Sequence, residues 1–268
     1  MRSILLYANH DSGTIDRVEA ALTIAGAFNS HIHCLQVTPF NNYVVMDPFG
    51  GVYAMSRILE QLRAEEAKNQ AEVEGRLRRA GASWTWINET SDPEGAALDR
   101  MNLVDIAIVS IGGEADESAR APAAARLAIR TNTPILGISS EGPRLDVGGN
   151  AVVAWNGSPE ASRALCNAVP MLALASRVTI VEVTEDHSGF PALEAAQYLG
   201  YHDIKAEVRE HPKAEDSTSD ALRRAALEIG ASYIVMGSYG HSRLHERVFG
   251  GVTKDFSRNS PCTLFLSH

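Results

Sequence analysis

The chain is predicted to fold as α/β, in two tandem doubly wound domains with a five-stranded parallel sheet in each. Three observations predict it. Short runs rich in Val, Ile and Leu alternate with Ala-rich helical segments, as parallel strands covered by helices on both faces require. The chain also repeats itself: "YANHDSGTIDRVEAALTIAGAFNSHIHCLQV" at 7–37 and "AWNGSPEASRALCNAVPMLALASRVTIVEV" at 154–183 each run from an apolar strand through a polar turn into a helix and a second strand. Self-similarity at fixed spacing marks a duplicated unit. Finally, "VDIAIVSIGG" lies over "ASYIVMGSYG" and "TNTPILGI" over "RNSPCTLF", with Pro134 falling on Pro261.

Ala8 aligns with Ala154 and Ser12 with Ser158, an offset of 146, while the later matches keep an offset of 127. One repeat therefore spans 1–140 and the other 150–268, and the first is longer by 19 residues in its middle. Strands are expected in the first repeat at 3–8 ("SILLYA"), 31–38 ("HIHCLQVT"), 83–88 ("SWTWIN"), 104–111 ("VDIAIVSI") and 134–139 ("PILGIS"). In the second they are expected at 151–156 ("AVVAWN"), 177–184 ("RVTIVEVT"), 203–210 ("DIKAEVRE"), 232–238 ("SYIVMGS") and 261–267 ("PCTLFLS"). Each is short, β-branched and bounded by turn residues, and a helix is expected between each pair. The extra length of the first repeat supplies an apolar loop (Tyr43, Val44, Val45, Met46, Phe49) and a long helix with Met55, Leu59 and Leu62 on one stripe. The segment packs on its own sheet, or forms a partner surface or a second pocket. "SSEGPRLDVGGN" at 139–150 has the composition of a linker.

With 45% apolar and 21% charged residues the chain reads as an ordinary globular protein. Its formal charge of -9 argues against a general nucleic-acid or membrane-surface binder, so an anionic ligand has to be held locally. "MRSILLYANH" is too short an apolar run for a signal peptide or a membrane span, and a cytoplasmic location is expected. Cys34, Cys166 and Cys262, odd in number and far apart, are expected to be reduced core thiols.

"GSYGHSRLHERVFGGVT" at 237–253 concentrates Gly237, Gly240, Gly250 and Gly251 at the end of the fourth strand of the second repeat and at the start of the helix "VTKDFSRN". In open parallel sheets, ligands bind beyond the carboxyl ends of the strands. Unpaired amides at a helix N-terminus favour phosphate, and missing β-carbons let it approach the backbone. The pattern Gly-x2-Gly-x9-Gly at this place resembles the nucleotide-binding signature of the universal stress protein family. The resemblance extends over "VVAWNGSPEASRAL" and, more weakly, over the whole first repeat, so the chain looks like a tandem member.

This resemblance implies a fold of the adenine nucleotide hydrolase type. It also implies that the two halves pair through their last strands, "TPILGIS" with "SPCTLFLSH", about a pseudo-two-fold axis, as an intramolecular pseudo-dimer with or without further homodimerisation. The implied ligand is ATP or another adenine nucleotide, with or without Mg. Its base lies against Ala154, Trp155, Asn156 and Val183. Met236, Gly237 and Gly240 flank base, ribose and phosphate, and Gly250, Gly251 and Val252 offer amides to the phosphates. Two positions depart from the family: Gly251 stands where ATP-binding members usually have Ser or Thr, and Asn156 where many have Asp. A lost hydroxyl contact of about 0.5–1.5 kcal/mol weakens triphosphate binding without abolishing it.

In the first repeat Ser110 replaces Gly237, Gly113 is kept opposite Gly240, and Ala123 and Ala124 replace Gly250 and Gly251, so one nucleotide site per chain is expected, in the second domain. His10 and Asp11 replace Asn156 and Gly157 there, and contiguous His10, Asp11 and Ser12 cannot form a catalytic relay. His241, His245 and Glu246 have zinc-like spacing without a third ligand, and His241 or Arg243 serves better to screen phosphate charge. No P-loop is present, and Asp255 is the nearest carboxylate in sequence, so no dedicated catalysis is expected. The function expected is a cytoplasmic stress-response protein using nucleotide occupancy as a signal to an unknown protein partner. The alternatives are a nucleotide-independent interaction scaffold with a vestigial site and a slow ATPase or autophosphorylating enzyme.

Overall fold

Five apolar runs in each half become strands. In the computed structural model, which describes residues 1–39, 52–112, 123–140, 142–184, 189–212, 217–238 and 251–268, the first half holds β1 (Ser3–Tyr7), β2 (His31–Pro39), β3 (Ser83–Ser91), β4 (Ile106–Ile111) and β5 (Ile135–Ser139). The second holds β6 (Asn150–Trp155), β7 (Arg177–Thr184), β8 (Ala206–Pro212), β9 (Ala231–Gly237) and β10 (Thr263–Ser267). They form one ten-stranded sheet in the order β3-β2-β1-β4-β5-β10-β9-β6-β7-β8. Every pairing is parallel except β5 with β10, where Leu136 faces Phe265 in an antiparallel ladder. Replacing each strand by its counterpart in the other half reproduces the same order, which is the pseudo-two-fold relation.

The helices among the described residues are α1 (Thr14–Phe28), α2 (Val52–Arg79), α3 (Pro93–Met101), α4 (Ala124–Ala128), α5 (Pro159–Leu172), α6 (Ala192–Gly200), α7 (Thr218–Ile229) and α8 (Gly251–Arg258). Local chemistry starts three of them. Asp92 accepts from the Gly95 amide at 2.8 Å, Ser158 from Ala161 at 3.1 Å and Ser217 from Asp220 at 3.1 Å, each satisfying an amide that the first turn leaves free. Val18, Ile24, Val73, Leu77, Leu165, Met171 and Leu199 place α1, α2, α5 and α6 in the apolar cluster on one face of the sheet. On the other face Met101, Leu127, Leu222 and Phe256 place α3, α4, α7 and α8.

The long α2 helix buries Asn69, Val73 and Leu77, while Leu62 is half-buried. Residues Tyr43, Val44, Val45, Met46 and Phe49, and the side chains of Met55 and Leu59, lie outside the described residues. The Asn69 amide donates to Ala8 O at 2.7 Å and to Gln36 Oε1 at 2.9 Å, tying the helix to the ends of β1 and β2. No helix among the described residues is long and apolar enough to cross a membrane.

Two expectations are corrected. The strand expected at 203–210 begins at Ala206 because the chain first closes α6: Ile204 N donates to Leu199 O at 3.0 Å and Asp203 takes a left-handed φ of 61°. Cys34 and Cys262 are core residues, but Cys166 is exposed. On α5 the buried stripe runs through Ala161, Ala164, Leu165, Ala168, Met171 and Leu172, and position 166 falls on the opposite side.

Candidate functional site

Parallel strands β6, β7 and β9 end side by side, and their carboxyl ends gather most of the expected base and ribose contacts. Ala154 is in register with Met236 on one side and Val181 on the other, Trp155 is opposite Glu182, and Val183 follows one step along β7. Met236 and Trp155 are buried, Ala154 and Val183 half-buried, and Asn156 is exposed, with its side-chain carbonyl accepting from the Ser158 amide at 3.1 Å. Gly237 closes β9. Gly251 and Val252 open α8, and the Thr253 hydroxyl donates to Gly237 O at 3.5 Å, joining the first turn of α8 to the end of β9. Gly240, Gly250, His241, Arg243, His245 and Glu246 lie outside the described residues, as does Gly113 in the first half.

The glycines here make room for different neighbours. Among the described residues, a β-carbon on Gly251 would meet nothing within 4 Å, and Gly251 is exposed. One on Gly237 would lie 2.6 Å from Ala161 N and from the Glu160 carbonyl carbon: the space there is taken by the first turn of α5. Gly157, which sequence reading left out of the site, adopts φ 69°, and a β-carbon on it would stand 2.2 Å from Phe190 N. Gly189 faces it, its own β-carbon position lying 2.5 Å from Asn156 O. Phe190 N then donates to Gly157 O at 3.1 Å, and the buried Trp155 indole donates to Phe190 O at 2.8 Å. The chain ahead of α6 is thus clasped onto the turn after β6. "NG" at 156–157 signals the turn, but nothing local in the sequence announces its contact with 189–190.

The first half differs at each corresponding point. Ala123 and Ala124, at the start of α4, are buried, whereas Gly251 is exposed. Ser110 stands where β9 has Gly237, and the Arg17 guanidinium occupies the gap between the ends of β1 and β4. All five of its N–H groups are used: Nε donates to Tyr7 O at 2.7 Å, one terminal nitrogen to Asp11 Oδ1 at 2.8 Å and to the Ser110 hydroxyl, the other to Asn9 O at 2.8 Å and Thr14 Oγ1 at 3.4 Å. Burial pushes the neighbouring Tyr7 phenol up, with Arg17 opposing. Arg163, the counterpart of Arg17 at the offset of 146, is exposed. Chemically, one half presents an exposed helix start beside its strand ends; in the other the corresponding helix start is buried, and an arginine occupies the gap between β1 and β4.

Among the described residues no group of three or more His, Cys, Asp and Glu is placed to hold a metal ion. Asp255 is engaged locally, its carboxylate accepting from the Ser219 hydroxyl at 2.9 Å.

A family model described as the universal stress protein family matches residues 149–268. No curated protein matches the chain. Among solved structures, a universal stress protein from Archaeoglobus fulgidus DSM 4304 matches with a TM-score of 0.72 and 18% identity, covering 99% of this chain and 97% of that one. A functionally unknown protein from Pseudomonas aeruginosa PAO1 matches with a TM-score of 0.60 and 16% identity over 100% of this chain and 92% of its own. A universal stress protein solved in complex with cAMP covers 46% of this chain and 99% of its own at 19% identity, with a TM-score of 0.36. The two full-length matches share the tandem α/β fold. Residues 149–268 are thus similar to the universal stress protein family, and the chain as a whole shares the tandem α/β fold of these solved structures.

Proposed function

We propose that the chain binds one adenine nucleotide, at the carboxyl ends of β6, β7 and β9, and that occupancy of this site acts as a regulatory signal in a stress response rather than feeding turnover. The observation that carries the reading is the asymmetry between the halves: an exposed Gly251, clear of the described residues, against a buried Ala123–Ala124 start, and an arginine in the first-half gap. In this reading Gly251 and Val252 offer amides to phosphate, while Ala154, Asn156, Val183, Met236 and Gly237 surround base and ribose, together with Gly240 and Gly250. The absent hydroxyl at Gly251 lowers affinity, and Asn156 presents a neutral donor and acceptor in place of a carboxylate. Calorimetric titration with ATP, ADP and AMP, with and without Mg, tests it. One site per chain and a raised unfolding temperature at millimolar ATP are expected, since a ligand bound to the native state must stabilise it. Two equal sites, or no heat and no stabilisation, overturn it.

A second reading, a nucleotide-independent interaction protein in which the domains stand in for a homodimer, is favoured by one observation. The space left by Gly237 and Gly157 is filled by backbone of this chain, from α5 and from 189–190. Mass spectrometry of what co-purifies separates the two: bound nucleotide supports the first, and a nucleotide-free protein that retains a stoichiometric partner supports the second.

A further inference from the structure

Phe190 is held in place by its backbone while about half of the residue stays exposed. Its N–H is bound to Gly157 O at 3.1 Å and its carbonyl to the Trp155 indole at 2.8 Å, and the residue is 52% exposed while Trp155 is 4% exposed. The fold spends a buried tryptophan's only hydrogen-bond donor and two glycines in contact to fix this one point. Gly157 takes a left-handed φ that other residues rarely adopt, and neither glycine has room for a β-carbon. About half of an apolar residue so anchored is left exposed to water. Its anchor, Gly157, lies just past the carboxyl end of β6, one residue beyond Asn156.

We propose that Phe190 is the aromatic platform on which the base of the nucleotide stacks, and that the Gly157–Gly189 clasp holds it ready; the inference rests on the nucleotide reading above. An aromatic face suits a planar heterocycle, and stacking is strongest for the extended purine ring system. A pre-positioned ring loses little conformational freedom when it is covered. The platform discriminates by the presence and size of the base, leaving the phosphates to the start of α8.

The test uses the full chain and compares ATP with inorganic tripolyphosphate, which has no base. F190A is expected to weaken ATP binding roughly tenfold and to leave tripolyphosphate binding unchanged. F190L, which keeps bulk without a π face, is expected to behave as F190A does. F190W is expected to bind ATP at least as well as the native chain, with its added indole fluorescence quenched on binding. L193A, at a position 74% exposed on α6, serves as the control and is expected to bind as the native chain does. ATP binding by the native chain with F190A or F190L within twofold of it, or equal losses for ATP and tripolyphosphate, overturns the inference alone. Failure of the native chain to bind ATP overturns the nucleotide reading and the inference with it.

Discussion

The Arg17 guanidinium lies 2.8 Å from the Asp11 carboxylate with 1% of its side chain exposed, while Asp11 keeps 34% of its own exposed. This pair joins α1 to the ends of β1 and β4. An arginine can be held there because each N–H meets an acceptor, two of them the backbone carbonyls of Tyr7 and Asn9.

Removing the cation should cost more than removing an ordinary surface pair. Arg17→Ala removes the guanidinium donors from Tyr7 O, Asn9 O and Ser110 and the countercharge from the Asp11 carboxylate. Breaking a buried pair costs about 3–5 kcal/mol, and because Asp11 is partly solvated a loss near the lower end, about 3 kcal/mol, is expected. Arg17→Lys should fall between, because three donors cannot serve five acceptors. Urea unfolding checks this: the midpoint should fall in the order native, Lys, Ala with the slope unchanged.

The two halves solve the same steric problem in opposite ways. A β-carbon on Gly13 would meet the Ser110 hydroxyl oxygen at 2.5 Å, whereas in the second half Gly237 itself makes room for the backbone of α5. Gly13→Ala alone should therefore destabilise by roughly 1–3 kcal/mol, the usual cost of overpacking. Most of that should return in the Gly13→Ala, Ser110→Gly double variant. Gly237→Ser has no such rescue, because its neighbour is main chain. Thermal unfolding of the four proteins decides it, and additive losses for Gly13→Ala and Ser110→Gly would refute the compensation.

Most of the architecture is legible in the residues because each strand is a contiguous apolar run and each half repeats the other. "SILLYA" and "IAIVSI" leave little choice but a buried parallel strand, and the shared Pro before β5 and β10 marks two equivalent last strands, which do pair. Long-range contacts are hidden. Pairwise alignment compares Asp11 with Gly157 and Ser110 with Gly237, but the residue that joins the first-half pair is Arg17, six positions further along a helix. Likewise, the contact of Gly157 with Gly189 and Phe190 spans the whole of α5 and β7. Sequence reading placed the candidate strand-end residues side by side but missed what fills the space between and above them.

Cysteine reactivity should follow burial residue by residue. Burial pushes the Cys34 and Cys262 thiols up to about 12, so almost no thiolate forms there at neutral pH. Cys166 is exposed. In the native protein a maleimide is expected to label Cys166 alone, and all three cysteines in urea; the labelled peptides, read by mass spectrometry, check this. Rapid native labelling at Cys34 or Cys262 would mean that the strands open locally.

Acid sensitivity should come from carboxylates that the fold holds ionised. The Arg2 amide, and then the Ser3 amide at 3.0 Å, hold the Asp105 carboxyl below its usual range despite partial burial, which clamps the start of β1 to the start of β4. At Glu94 burial pushes upward, but hydrogen bonds from Arg126 and Arg130, both at 2.7 Å, outweigh it and leave this carboxyl low as well. A folded-state pKa below the unfolded one means that the unfolded chain binds more protons on acidification. The stabilisation is then complete above the unfolded values, about 3.9 for Asp and 4.3 for Glu, and disappears as pH falls through the lower folded values. Urea midpoints between pH 6 and pH 3 should therefore decline with acid, and the decline should be shallower in Asp105→Asn and in Glu94→Gln. These variants lose stability at neutral pH but have one fewer carboxylate to protonate. Because both carboxylates are partly solvated, salt should shrink the Glu94 effect, which depends on charge pairing with exposed arginines. It should leave the Asp105 effect, which rests mainly on two backbone amides, largely unchanged.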